Sequence, residues 1–194
     1  MAQAFTPEQL SLIREKLLES ARRHALQTGV RKTSLDMLTA EAGIAKSTFY
    51  KFYESKEKLF MEVAAQWEAQ ILSRAAQTLR SHEGMSNKAR AARFVLAAFE
   101  GVHSLGLVRF MREDLPYLTS LISPDEARSR YMSSARTIFH ALKEADIRFA
   151  APEETVLSAI QMMYLSILNI RDLGEGFFPA LRMMVEGACD RLVA

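Results

Sequence analysis

Five side chains able to bind nucleic acid fall within one short segment of the chain: Lys46, Ser47, Thr48, Tyr50 and Lys51. Lysine neutralises phosphates or donates to guanine, and hydroxyl groups bond to phosphates or base edges. If the segment is helical, all but Thr48 share the face opposite Phe49. Residue types alone leave two interpretations equally open, a DNA-reading face and an ordinary solvated surface.

Two short helices are expected to position this face, separated by the tripeptide 42–44. The inner stripe of the first helix is Leu35, Leu38 and Ala42. Gly43 tolerates the positive φ that such a tight turn requires. Ile44, Phe49 and Tyr53 then hold the second helix against its neighbours. This geometry is a helix-turn-helix, whose second helix enters the major groove, and it favours DNA over a solvated surface.

The rest of the chain also has helical periodicity, with no strand-like alternation of any length. Thr6, Pro7 and Gln9 predict a capping box at the start of the first helix. Ser55 can cap a long helix that reaches about His82. The sequence therefore predicts an all-α protein of about nine helices. A three-helix helix-turn-helix domain (1–54) would precede a larger helical body (55–194).

Composition narrows the possible functions. Residues 1–60 carry a net charge of +3 and residues 61–194 one of −1, so the basic end is the one suited to a polyanion. Cys189 is the single cysteine, which predicts a reducing, cytoplasmic setting. No signal peptide is expected, and the uncharged stretch 155–170 is too short and polar to span a membrane.

Enzymatic motifs are lacking in the sequence. The histidines (His24, His82, His103 and His140) have no metalloprotease spacing, and no nucleophile elbow or phosphate-binding glycine loop occurs. The acidic pair Glu113–Asp114 resembles helix-end or loop charge. We predict a non-enzymatic protein without cofactor or metal. A helical adaptor that has lost DNA binding is the alternative, and it predicts gaps in the basic face.

The segment from about Ala21 to Leu59 resembles the DNA-binding domain of TetR/AcrR-family regulators. It matches that family's recurring pattern at Ser34, Ala42, Gly43, Lys46, Thr48, Tyr50, Ser55, Lys56, Glu57 and Leu59. Thr39 and Ser47 depart from the usual Ala and Gly. Ala45 replaces the usual Ser cap, which predicts a reading helix without a side-chain cap.

The resemblance implies a function and a set of DNA contacts. It implies a sequence-specific transcriptional regulator, a homodimer on a palindromic operator in double-stranded DNA. Repression with release by a small, largely apolar effector is the expected mode. Ser34 and Tyr50 would contact phosphates, while Lys46, Ser47, Thr48 and Lys51 would lie at or near base edges. Thr33 is a lesser phosphate candidate that is equally able to cap a helix, and Lys56 opens the fourth helix beside a phosphate.

The resemblance also implies that the last two helices pair with their copies in a second chain and form a four-helix dimer interface. The penultimate helix has two apolar faces and needs partners on both. The dimer residues predicted on these helices are Val156, Ile160, Met163, Ile167, Ile170, Leu181, Met184, Val185, Ala188 and Leu192. Burial of the penultimate helix inside a monomer is the alternative.

Aromatic and methionine side chains of the body are candidates for an effector pocket, although such residues more often form plain core. The candidates are Trp67, Phe94, Phe99, His103, Phe110, Met111, Tyr131, Phe139 and Met163. His103 is the polar one among them, and a pocket needs a few placed polar groups.

Overall fold

The structure is a computed structural model that describes residues 5–80 and 84–194. His82, where the long helix was predicted to end, lies outside these residues. The described ranges contain ten α-helical segments and no strand beyond an isolated bridge between Phe149 and Val193, so the all-α prediction is confirmed. The N-terminal helices are α1 (Pro7–Gln27), α2 (Leu35–Ala42), α3 (Lys46–Phe49) and α4 (Lys56–Arg80).

The body continues with α5 (Asn87–Ser104), a π-helix (Phe110–Asp114), α6 (Leu115–Thr119), α7 (Pro124–Glu144), α8 (Glu153–Ile167), α9 (Ile170–Leu173) and α10 (Phe177–Leu192). The π-helix runs directly into α6, where Pro116 occupies the first turn, a position that needs no N–H donor. None of the described helices is both long and apolar enough to cross a membrane.

Local capping explains where several helices begin. The Thr6 hydroxyl accepts the Gln9 N–H while the Gln9 side chain accepts the Thr6 N–H, which confirms the capping box. The Ser55 hydroxyl accepts the Lys58 N–H at the start of α4. These caps satisfy backbone donors that the first helical turn leaves without partners.

One hydrophobic core connects the two ends of the chain. Helix α4 packs against α1 on one side and against α5 on the other, and α5 in turn packs against α10. The buried side chains of α4 include Leu59, Val63, Trp67 and Ile71, spaced along a single stripe. Because α4 runs from the helix-turn-helix into the body, it is a rigid link between the two regions.

Candidate nucleic-acid interface and ligand cavity

Helices α2 and α3 form a tight helix-turn-helix. The Ser34 hydroxyl accepts the Met37 N–H and caps α2. Gly43 ends the helix with φ +69°, and the Ile44 N–H returns to the Thr39 carbonyl at 3.0 Å. A left-handed backbone conformation at this position costs little free energy for glycine and more for any other residue.

Phe49 determines which face of α3 points outward. Its ring is completely buried, whereas Tyr50 is 59% exposed. The exposed residues of this segment are Lys46, Ser47, Tyr50 and Lys51, and Thr48 is half-buried. The four predicted outward side chains therefore lie together on the solvent side. As predicted, no side chain caps α3 at Ala45.

An acidic residue shares this surface. The Lys46 ammonium lies 2.7 Å from an Asp36 carboxylate oxygen, and both side chains are more than half exposed. An exposed pair of this kind contributes little to stability. It does place a negative charge of α2 beside the candidate reading face.

Two predicted contacts have other partners in the structure. The Thr33 side chain is fully buried and its hydroxyl donates to the Gly29 carbonyl at 2.8 Å. The Lys56 ammonium donates to the carbonyl oxygens of Val30 and Thr33, at 3.0 and 2.5 Å. The prediction that the Thr33 hydroxyl contacts a phosphate is corrected, because this hydroxyl is buried and cannot reach a ligand. Lys56 ties the start of α4 to the α1–α2 loop.

A polar cluster fixes α2 against α1. Glu41 on α2 accepts from Ser20 and lies 2.5 Å from Arg23 and 2.9 Å from the His24 ring, all on α1. The Ser20 hydrogen bond is the main reason that the pKa of Glu41 falls to about 2. The ionised Glu41 carboxylate therefore holds α2 against α1.

Asp114, the last residue of the π-helix, and Arg109, just before its first, reach the end of α1 and the α1–α2 loop from the body. Asp114, 4% exposed, accepts the Val30 N–H at 3.0 Å. Arg109 lies 3.6 Å from Asp114 and donates to the Ala25 carbonyl at 2.5 Å. We call Arg109 and Asp114, together with the Ala25 carbonyl and the Val30 N–H that they bind, the junction. Asp114 does stand at a helix end, as predicted for the Glu113–Asp114 pair, but unlike an ordinary helix-end charge it is buried.

Gly29 fits the junction closely. Its φ is +88°, and a Cβ built there would lie 2.9 Å from the Arg109 guanidinium. Gly29 is thus both the left-handed residue that follows α1 and a point of close approach to Arg109. Sequence reasoning missed Arg109 and Asp114, because 84 positions separate each from its backbone partner and no local pattern signals such a pair.

The body contains a partly open cavity of about 370 Å³ between α4, α5, the π-helix, α6, α7 and α8. Five predicted pocket residues line it: Trp67, Phe99, Phe110, Met111 and Tyr131. Trp67 and Phe110 meet edge to face with ring centroids 5.2 Å apart. Most of the wall is aliphatic or aromatic, which suits an apolar ligand.

The other four pocket candidates lie elsewhere. Phe94 and Met163 are buried but do not line this cavity. Phe139 stacks on Phe149 at 4.9 Å, beside a shallow surface depression. His103 is exposed on α5 and its ring meets Phe178 edge to face. Their spacing along the helices predicted that they would lie at the pocket, but each is on a part of its helix that does not line the cavity. Gln161, which lines it, was not predicted.

The dimer candidates divide into two groups. Seven lie within the core of one chain: Val156, Ile160, Met163, Ile167, Ile170, Leu181 and Val185. Their assignment to a dimer interface is corrected, because helices α5, α7, α8 and α10 cover them within the protomer. Ala188 and Leu192 are half-buried, and Met184 is 56% exposed.

The opposite faces of the same two helices are open. Met162 (71% exposed) and Leu165 project from α8, and Met183 (75% exposed) and Met184 from α10. Helices α8 and α10 pack against each other. Neither Met162 nor Leu165 was among the dimer residues predicted from the sequence.

Comparison with known proteins agrees with this architecture. The family model for bacterial regulatory proteins of the tetR family matches residues 17–63, the span from α1 through the reading segment to α4. Over residues 17–63 the chain is thus similar to the N-terminal segment of bacterial regulatory proteins of the tetR family.

Full-length relatives extend the match over the body. The uncharacterized HTH-type transcriptional regulator YhgD from Bacillus subtilis (strain 168) is 28% identical over 187 residues, covering 95% of this chain and 96% of YhgD. A TetR family transcription regulator from Marinobacter aquaeolei VT8 has the same fold, with a TM-score of 0.61 and 18% identity over 97% of this chain and 99% of that one. The regulator FadR from Bacillus subtilis, in complex with stearoyl-CoA, has a TM-score of 0.59 and 14% identity over 90% and 96% of the two chains.

Proposed function

We propose that this chain is a TetR-family homodimeric repressor that binds a palindromic operator through α3 and leaves it when a small, largely apolar effector fills the cavity. The observation that carries the DNA contact is the exposure of Lys46, Ser47, Tyr50 and Lys51 on the side opposite the buried Phe49. A major-groove helix needs this combination of ammonium and hydroxyl groups. The alternative of an adaptor without DNA binding expects gaps in this face, and the face has none.

Ser34 and Thr48 complete the proposed contacts. Ser34 is exposed at the N-terminus of α2, where unpaired backbone N–H groups and the helix dipole favour a phosphate. Thr48 is half-buried at the edge of the reading face. Lys56 acts indirectly, because its bonds to the α1–α2 loop position Ser34 rather than reach the DNA.

The cavity and the junction supply a physical route for release. Phe110 and Met111 line the cavity, and they lie on the π-helix that also carries Asp114. A π-helix is an irregular element that often occurs at functional sites. A ligand that moves Phe110 would displace Asp114 and loosen the loop that precedes α2. The effector shifts the equilibrium only by its difference in affinity between the two states.

The kind of effector follows from the cavity wall. Trp67, Phe99, Phe110 and their aliphatic neighbours offer an apolar surface. FadR, which shares the fold, holds stearoyl-CoA, so a body of this architecture accommodates a ligand with a long apolar chain. This likeness supports an apolar effector here.

A second copy of the chain is the proposed occupant of the exposed methionine face, formed by Met162, Leu165, Met183 and Met184. Scattered apolar residues are normal on a surface, but four on two packed helices form a patch suited to an interface. Gly187 is exposed on α10 in the turn after Met183 and Met184, and a Cβ there would meet nothing in its own chain. A helix-surface glycine permits close approach of a partner helix.

Selection of bound sequences from random duplex DNA by the purified protein tests this function. The expected product is a palindrome whose half-sites are separated by about one helical turn, 34–36 Å. Sedimentation of the complex should show two chains per duplex. Failure to enrich any sequence would favour the adaptor alternative, and an asymmetric site bound by one chain would contradict the dimer.

Effector release is tested with the selected duplex. A compound library is screened by the fluorescence of Trp67, the single tryptophan, whose ring lines the cavity. Compounds that change this fluorescence should lower operator affinity, and Trp67→Phe should keep DNA binding while altering the response. Tight binders that leave operator affinity unchanged would contradict release.

A further inference from the structure

The cavity of the body reaches solvent at its rim. Of the described residues that line it, three are exposed: Pro116 on α6, Tyr131 on α7 and Leu165 on α8. Leu165 is also one of the four residues of the exposed methionine face, the surface proposed for a second copy of the chain. One side chain therefore belongs both to the cavity and to the proposed subunit interface.

The geometry of α8 explains this double position. Successive residues of an α-helix are rotated by about 100°, so Leu165 lies about 40° from Gln161 on one side and about 60° from Met162 on the other. Gln161 lines the cavity and is 7% exposed, whereas Met162 is 71% exposed and does not line it. Leu165 thus stands at the boundary between the cavity wall and the exposed face of α8.

A partner helix on the methionine face would cover this boundary. The apolar stripe that a helix buries against a neighbour is about 100° wide, and the axes of packed helices lie about 8–10 Å apart. A stripe of this width centred between Met162 and Leu165 covers both side chains, and with Leu165 it covers the α8 edge of the cavity opening. Leu165 is 37% exposed in the single chain, so apolar surface remains there for a partner to bury.

We propose that the second subunit completes each cavity at Leu165, so that effector binding and dimerisation strengthen each other. The inference rests on the proposed function, on both its dimer and its effector, and adds a thermodynamic link between them. A ligand beside Leu165 is shielded from water by the partner subunit, and it therefore binds the dimer more tightly than the separated chain. Pro116 and Tyr131 lie on α6 and α7, outside the methionine face, and leave the rest of the rim open for entry. Such an effector releases the operator from an intact dimer and does not separate the subunits.

A charged variant of α10 separates the cavity from the interface. Met183 is 75% exposed and does not line the cavity, so Met183→Glu should give a folded monomer with an unaltered cavity wall within the chain. Leu12→Glu makes the same kind of change at a 58% exposed position of α1 and is the matched control, which should remain dimeric. Sedimentation measures the assembly state, and melting followed by circular dichroism checks the fold. The probe is N-phenyl-1-naphthylamine, a neutral apolar fluorophore, whose binding is followed through the fluorescence of Trp67 on the cavity wall.

The two directions of the link are measured separately. The Met183→Glu monomer should bind the probe about fivefold or more weakly than the wild-type dimer and Leu12→Glu, in the range usual for coupled sites. The reverse effect follows by thermodynamic necessity. Because each dimer holds two cavities, saturating probe should lower the dissociation constant of the dimer by the square of that ratio, about 25-fold or more. Met183→Ala weakens the face without adding a charge and brings dissociation into the range of sedimentation.

The outcomes distinguish this inference from the proposed function. Equal probe affinity in the Met183→Glu monomer and the wild-type dimer would overturn the inference while the proposed dimer and effector stand. A dissociation constant that the probe leaves unchanged or raises would do the same. A dimeric Met183→Glu variant would overturn the proposed methionine face, and the inference with it. Unchanged Trp67 fluorescence of the wild type in saturating probe would overturn the cavity as an apolar ligand site, and with it a link made through that cavity.

Discussion

The helix-turn-helix and the exposed methionine face differ in how far one apolar stripe determines the orientation of a helix. In α3 the only large apolar side chain is Phe49, so its burial leaves Lys46, Ser47 and Tyr50 facing solvent. Helix α8 is apolar on both sides, and burial of Ile167 leaves Met162 exposed. The outward face of a helix with one apolar face can be predicted from its own sequence. For a helix with two apolar faces, the outward one can be predicted only when the neighbouring helices are known.

The largest expected effect comes from introducing a charge on the buried face of α8, compared with the same charge on its exposed face. Ile167→Glu puts an unpaired charge into a fully buried site and should cost about 3–5 kcal/mol of folding free energy. Met162→Glu should leave the fold intact but disrupt the dimer. Circular dichroism during thermal melting and analytical sedimentation distinguish the two results. A well-folded monomer from Ile167→Glu would instead place Ile167 between subunits.

The same contrast explains how much the sequence could predict. Caps at Thr6 and Ser55 and the uncapped Ala45 follow from neighbours within a few positions, so local patterns foretold them. The reading face followed from one buried ring. The position of His103 outside the cavity, and of Met163 in the core away from it, depends on the packing of distant helices.

The junction shows the limit most clearly. Asp114 and Val30 are 84 positions apart, and an acidic residue next to Glu113 gives no sign that it will be buried. Its partner is a backbone N–H group, which every non-proline residue carries. Only the packed structure reveals this link between the helix-turn-helix and the body.

Breaking the junction tests whether the two regions act together. Asp114→Ala removes the acceptor of the buried Val30 N–H and the carboxylate beside Arg109. The expected loss is about 1–3 kcal/mol in chemical denaturation, with weaker operator binding, because an unsatisfied buried group is costly. Glu113→Ala is the control, because the exposed ion pairs of Glu113 with Arg109 and Arg112 contribute little. Equal effects from both variants would remove the special role of Asp114.

Acidification should weaken the α1–α2 contact through Glu41. Its pKa in the folded protein is lowered to about 2, so the ionised carboxylate stabilises the fold above the ordinary value of 4.5 and less as pH falls towards 2. Glu41→Gln should therefore be destabilising near neutral pH, by an amount that shrinks in acid. Melting temperatures of the two proteins from pH 7 to pH 2 measure this, with Glu19→Gln on the exposed face of α1 as control. A difference that grows in acid would contradict the assignment.

The smallest expected effect concerns the acidic neighbour of the reading face. Asp36→Asn removes the carboxylate that lies 2.7 Å from Lys46 and frees the ammonium for DNA. Because an exposed ion pair contributes at most about 1 kcal/mol, operator affinity should rise by about two- to fivefold. Weaker binding would show that Asp36 positions Lys46 productively instead.

A salt titration of the selected operator tests the central claim that α3 reads DNA with its outward face. The logarithm of affinity is measured against the logarithm of salt concentration for the wild type, Lys46→Ala, Tyr50→Ala and the body control Lys143→Ala. The account predicts that Lys46→Ala and Tyr50→Ala each lower affinity by about tenfold or more. Lys46→Ala should also make the slope shallower, because it removes a cation from the DNA interface, and Lys143→Ala should change neither quantity. Wild-type affinity and slope in both α3 variants would contradict the account.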